Sequence, residues 1–268
     1  MRMERRTMLV GLAAAGVAGR FGAARAGAPE AGRGGSPVGP AARPRLPYEV
    51  VTVPGAEAEA EWRRLRDAGR GWPVVIGGDE TLAQIAEMLG ANEASAPAEI
   101  LKTAAALRFP DALGSWPGAP VAADLRAEEG AWPGNMPAGG VLPGLMVAAD
   151  LTSGAPLARV HILLIPTDKS WEVPAYLRWG GWNACPPPEV HVAVLKTWHE
   201  AYGAELAGLT GDQLNLRVAR RPTKRAEALT LARDFYRYCP DIFDQGTATL
   251  APLAAELMAN DWWYFWWD

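Results

Sequence analysis

The chain closes on Asp261-Trp-Trp-Tyr-Phe-Trp-Trp-Asp268, six aromatics in an unbroken row. Each such side chain hides about 150–250 Å² when buried. At about 25 cal/mol per Å², leaving the whole row in water forgoes on the order of 20 kcal/mol, more than the usual net stability of a domain. The row therefore belongs inside. As a strand it turns Trp262, Tyr264 and Trp266 to one face and Trp263, Phe265 and Trp267 to the other. A strand apolar on both faces needs cover on both, which favours a core position over an exposed carbohydrate-stacking ladder.

The rest of the chain supplies that cover. Val160-His-Ile-Leu-Leu-Ile165 is its most hydrophobic strand and reads as buried on both faces, with His161 a satisfied core histidine. Upstream, residues 48–53 read as a strand ended by Pro54-Gly55. Ala58, Trp62 and Leu65 mark one helix face, and residues 73–76 a short buried strand. Gly77-Gly78 turns the chain, and Asp79 is the expected cap of a helix carrying Leu82, Ile85, Ala86 and Leu89. Strand, Gly-Gly, helix lacks the third glycine of a dinucleotide loop and the Gly-Lys-Ser/Thr of a phosphate loop, so it is a tight turn. A further helix is expected over 97–107.

Residues 108–145 are rich in proline and glycine, with Trp116-Pro-Gly118 echoed by Trp132-Pro-Gly134. A long irregular segment of this kind is usually an interface or functional loop. Downstream, His191, Val194, Leu195, Trp198 and Tyr202 share one face of a helix over 189–202. Strands at 204–209 and 214–219 follow, and then a helix capped by Thr223 whose face is Ala228, Leu231, Ala232, Phe235 and Cys239. Pro240 stops it, residues 241–246 read as a loop, and Leu250, Leu253 and Leu257 mark a last short helix. This order predicts an α+β (or α/β) fold with one mixed β-sheet covered by helices and a long Pro/Gly/Trp-rich irregular segment. It predicts a globular domain over 48–268, with a division into 48–107 and 146–268 left open.

The N-terminus carries a different signature. Arg5-Arg6-Thr7-Met8-Leu9, a weakly apolar run to Gly19 and Ala24-Arg25-Ala26 read as a twin-arginine export signal over 1–26. Its run of about twelve residues is too short to span a bilayer of about 30 Å. The segment 27–47, rich in Gly, Ala, Pro and Arg, reads as a disordered linker. The expected location is the periplasm or the extracellular space if the signal operates, and the cytoplasm otherwise. Loss of the signal would remove Arg2, Arg5, Arg6, Arg20 and Arg25 against one acid, Glu4, and make an already acidic chain of net charge −4 more so. That balance argues against nucleic acid as a partner, and the one basic cluster, Arg217 to Arg225, is flanked by acids.

The chemistry-bearing residues concentrate in Arg178-Trp-Gly-Gly-Trp-Asn-Ala-Cys-Pro-Pro-Pro-Glu-Val-His191. One reading makes Cys185 a nucleophile just ahead of a helix N-terminus, with His191 as base and Asp241 or Glu189 orienting the imidazole. Its rival is a structural thiol, free or bridged to Cys239, the chain's only other cysteine. A metal set of Cys185, His191, Cys239 and Asp241 has suitable atoms but lacks short ligand pairs, so neither a metal nor a cofactor is expected. The third reading is a binding module. Trp179 and Trp182 line a groove with the Trp-Pro-Gly segment, and Asn183 and Gln245 supply orienting hydrogen bonds to a peptide, glycan or protein. Without a complete catalytic set, the binding module is the preferred reading and the Cys/His enzyme the alternative.

Several of these blocks also carry a family likeness. Trp171-Glu-Val-Pro-Ala-Tyr176, Gly180-Gly-Trp-Asn-Ala-Cys-Pro186, Tyr238-Cys-Pro-Asp241, Gln245-Gly246 and Trp263-Tyr-Phe-Trp-Trp-Asp268 together resemble the bacterial family catalogued as domain of unknown function 4253. The resemblance covers about 160–268. It implies that these blocks form one domain, and it implies no activity.

Overall fold

The structure, a computed structural model, describes residues 46–91, 96–120, 127–137 and 139–268. The expected export signal and nearly all of the expected linker lie outside the described residues. Six strands form one sheet: β1 (Glu49–Val53), β2 (Trp72–Val75), β3 (Val160–Ile165), β4 (Glu205–Leu209), β5 (Gln213–Arg217) and β6 (Trp262–Trp266), in the order β1-β3-β2-β4-β5-β6. β2 and β4 pair in parallel and the other neighbours are antiparallel, so the sheet is mixed, as the element order predicts. β1 and β2 precede the irregular segment and β3 to β6 follow it, yet all share this sheet. Every residue of β3 is buried between β1 and β2.

The helices are α1 (Ala58–Ala68), α2 (Asp79–Ala91), α3 (Pro97–Ala106), α4 (Val173–Leu177), α5 (Pro188–Tyr202), α6 (Arg225–Tyr238) and α7 (Leu250–Ala259). Their starts follow local chemistry only in part. Pro188 opens α5, where its missing N–H costs nothing, and Gly203 ends it in the left-handed conformation. Thr223 does not cap α6: Lys224 stands at the cap, and the Thr223 N–H donates to Glu227 at 3.3 Å. The expected 241–246 loop contains a π-helical turn, Phe243–Thr247. No helix or strand interrupts the described residues of 108–145.

The aromatic row is the strand its alternation predicts. Trp263, Phe265 and Trp267 are all fully buried against α5 and α6. Phe265 stacks on Trp198 at 5.5 Å, Trp263 meets Phe235 edge-on at 5.0 Å, and Trp267 meets Tyr238 at 5.3 Å. On the other face Trp262 packs against Trp62 of α1 at 6.4 Å, while Tyr264 and Trp266 are half-buried. Asn215, wholly buried on β5, accepts from the Val147 N–H and donates to the Trp263 carbonyl, tying the end of the irregular segment to the sheet. Among the described residues no helix is long and apolar enough to cross a membrane.

Candidate functional site

The loop from Arg178 to Pro187 joins α4 to α5 and is held from both sides. Arg178 ends α4 in the left-handed conformation (φ 51°), which turns Trp179 inward. Trp179 is fully buried, and its indole N–H donates to the Thr210 carbonyl at 2.7 Å. It lies beneath the loop instead of lining an open groove. Gly180, at φ 115°, then crosses the top of His191: a Cβ there would overlap the Pro186 carbonyl oxygen and stand 2.8 Å from His191 Nε2. Only glycine permits both that backbone angle and that approach. The Gly181 N–H donates to the Pro186 carbonyl at 2.9 Å and the Cys185 N–H to the Trp182 carbonyl at 2.8 Å, closing the loop on itself.

Under this loop the structure brings Cys185 and His191 together. Cys185 Sγ lies 3.5 Å from His191 Nε2, and Tyr238 Oη lies 2.6 Å from His191 Nδ1. The position expected for Asp241 or Glu189 is thus taken by a tyrosine hydroxyl. The Pro186 carbonyl favours the protonated imidazole, as an acceptor beside a ring N–H does. That carbonyl crowds Gly180 beside Nε2, so we place the proton on Nε2. Nδ1 then accepts from the Tyr238 O–H, and no lone pair is left at Nε2 to take a proton from the thiol.

Electrostatics point the same way. Cys185 is 1% exposed, and His191 and Tyr238 are fully buried. Burial pushes the Cys185 thiol up, with nearby Cys239 adding to the rise and the Gly181 backbone N–H opposing it. Burial also lowers His191 to about 3, partly opposed by the Pro186 carbonyl, and raises Tyr238. Each group is thereby held neutral, the reverse of a thiolate–imidazolium pair. Cys239 is a free thiol like Cys185, and its S–H donates to the Trp266 carbonyl at 2.9 Å. No cluster of three or more His, Cys, Asp or Glu side chains suited to a metal ion occurs among the described residues.

The polar residues of the loop come together separately, on the surface above. Asn183, exposed and at φ 46°, donates through Nδ2 to the Asp268 carbonyl at 2.7 Å. The Asp268 N–H donates to Asp241 Oδ2 at 3.0 Å, and Asp241 Oδ1 accepts from Gln245 Nε2 at 3.0 Å. Asn183, Asp268, Asp241 and Gln245 thus form one hydrogen-bonded line, with half-buried Trp182 beside it. Gly118 of the first Trp-Pro-Gly block abuts this loop: a Cβ there would stand 2.8 Å from the Asn183 carbonyl oxygen. The second block lies elsewhere, with Trp132 under the Arg225 guanidinium at 4.5 Å.

A family model covers the loop and the helices on either side of it. Residues 161–268 match DUF4253, a domain of unknown function. No curated protein and no solved structure matches the chain. The DUF4253 region supplies β3 to β6 and α4 to α7, but β2, which stands between β3 and β4, comes from outside it. Tyr238 is the member of the buried line that the helix face from Ala228 to Cys239 does not name. It stands three residues beyond Phe235 on the apolar face of α6, and that spacing was the available signal.

Proposed function

We propose that the DUF4253 region of this chain is a binding module that presents Trp182, Asn183 and Gln245 to an extended peptide of a partner protein. The observation that carries this reading is the separation of the two layers. The reactive-type side chains are sealed and neutral below, and the polar contacts stand exposed above on fixed backbone. A rim already ordered by its own hydrogen bonds loses little conformational freedom when a partner docks. Trp182 supplies the apolar body such contacts need, and Trp179 supports it edge-on at 5.0 Å.

The test is selection of a displayed random-peptide library against the full chain, followed by Trp182→Ala and Asn183→Ala. Enriched peptides should lose at least about tenfold in affinity with either variant, or roughly 1.4 kcal/mol. Failure to enrich any sequence, or binding indifferent to both changes, rejects the rim as the binding surface. The Cys/His enzyme would regain its standing if a thiol reagent labelled native Cys185 within seconds at neutral pH and His191→Gln abolished that labelling.

A further inference from the structure

A second histidine, outside the loop, sits in a different kind of line. His161 of β3 lies directly opposite Thr52 of β1 in the antiparallel register. The His161 N–H donates to the Gly77 carbonyl and its carbonyl accepts from the Ile76 N–H, both at 2.8 Å, so both backbone groups turn away from β1. Thr52 and His161 are therefore a non-hydrogen-bonded pair, the kind that brings side chains closest. The Thr52 N–H and carbonyl must point the other way, to the outer edge of the sheet, where no described residue pairs with β1.

The side chains complete a relay. Thr52 Oγ1 is 2.9 Å from His161 Nδ1, and His161 Nε2 is 2.8 Å from Asp79 Oδ1. Arg159 pairs with the other oxygen of Asp79 and, with His161, holds its carboxyl below the usual carboxylate range. An ionised Asp79 only accepts, so Nε2 carries the ring proton and Nδ1 offers its lone pair to the Thr52 O–H. Thr52 itself is exposed. A hydroxyl open to solvent, a histidine of the right tautomer behind it and a carboxylate fixing that tautomer are the working parts of a nucleophilic triad.

We propose that Thr52, His161 and Asp79 form an acyl-transfer triad at the open edge of the sheet, acting on carboxylic esters. Thr52 Oγ1 bonds to the ester carbonyl carbon as His161 Nδ1 takes the hydroxyl proton. The outward Thr52 N–H, which no described strand pairs, offers a backbone donor to the oxyanion. Collapse breaks the carbon–oxygen bond to the alcohol, which leaves with the proton from Nδ1. Water then attacks the Thr52 ester, gives its proton to Nδ1 and releases the carboxylic acid as Thr52 Oγ1 recovers a proton. Asp79 is a positioning residue that stabilises the imidazolium, and Arg159 holds it. Thr52 and Asp79 lie outside the DUF4253 match, so this activity would belong to the chain and not to the family region alone.

The experiment uses the full chain with p-nitrophenyl acetate, following nitrophenolate release and mapping acetylated peptides by mass spectrometry. The expected result is an acetyl group on Thr52 and a rate that falls at least about 10²-fold in Thr52→Val and in His161→Gln. Thr52→Ser should retain hydrolysis, and Asp79→Asn should lower kcat while leaving KM unchanged. If His161→Gln does not fold, the Thr52→Val and Thr52→Ser pair decides. Absence of acetyl on Thr52, or a Thr52→Val rate within about twofold of the parent, overturns the triad.

Discussion

Two histidines in this protein each bridge a hydroxyl and a second polar group, and the rings are almost equally hidden: His161 is 6% exposed and His191 0%. They differ in what surrounds their partners. Tyr238 and Cys185 are sealed with His191 under Trp179 and Trp267, whose rings lie 4.7 and 5.5 Å from the imidazole. Thr52 and Asp79 reach solvent. In the sealed line the Tyr238 O–H is tied to His191 Nδ1 and every group is held neutral. In the open line the carboxylate stays ionised and the hydroxyl can meet another molecule. The exposure of the partners, and not that of the ring, separates a packing device from a reactive one.

The contrast breaks most visibly on truncation. His191→Ala leaves a cavity among tryptophans and strands the Tyr238 hydroxyl, at an expected cost of about 4 kcal/mol. His161→Ala frees partners that water can satisfy, and should cost about half as much. Urea unfolding of both variants checks the ranking. Equal losses would mean that the two lines are energetically alike and that solvent at the open edge counts for little.

Acid probes the sealed line next. His191 has its folded value pushed down to about 3 from an ordinary 6.5. Between those values the unfolded chain binds a proton that the folded chain does not, so stability falls as pH falls. The slope from this residue is roughly 1.4 kcal/mol per pH unit below about 6.5. At higher pH both states are neutral there and the contribution is flat. Unfolding free energies at stepped pH should show this limb, and His191→Gln should flatten it. An acid limb identical in that variant would assign the loss to the carboxylates instead.

The sheet was legible from the sequence where a pattern is local. The alternation in Trp262–Trp267, the all-apolar run at Val160–Ile165 and the helical spacing from His191 to Tyr202 each gave an element close to the one observed. Cys185 and His191 can be paired because they stand only six positions apart, across a stiff proline run and a helix start. The Thr52–His161–Asp79 line cannot. Its members are 109 and 82 positions apart, and only the register of β1 on β3 and the turn after β2 bring them together. On local grounds Asp79 reads as a helix cap, which fits its residue type, but its carboxylate answers to Arg159 and His161. The π-helical turn at Phe243–Thr247 likewise has no periodic signature, because Pro240 and Gly246 together resemble an ordinary loop.

The smallest expected effect is also the cleanest comparison. Tyr238→Phe and Thr52→Val each delete one hydroxyl that faces a histidine Nδ1 and keep most of the side-chain volume. In the sealed line the deleted O–H leaves Nδ1 without a donor and without room for water, a loss of about 1.5 kcal/mol. In the open line a water can take the place of the Thr52 hydroxyl, and valine suits a strand at least as well as threonine. The change there should stay within about 0.5 kcal/mol. Paired thermal and urea unfolding measure both. If Thr52→Val proved as costly as Tyr238→Phe, the Thr52 hydroxyl would be a structural strut. The weak energetic commitment that leaves it available for chemistry would then be lost.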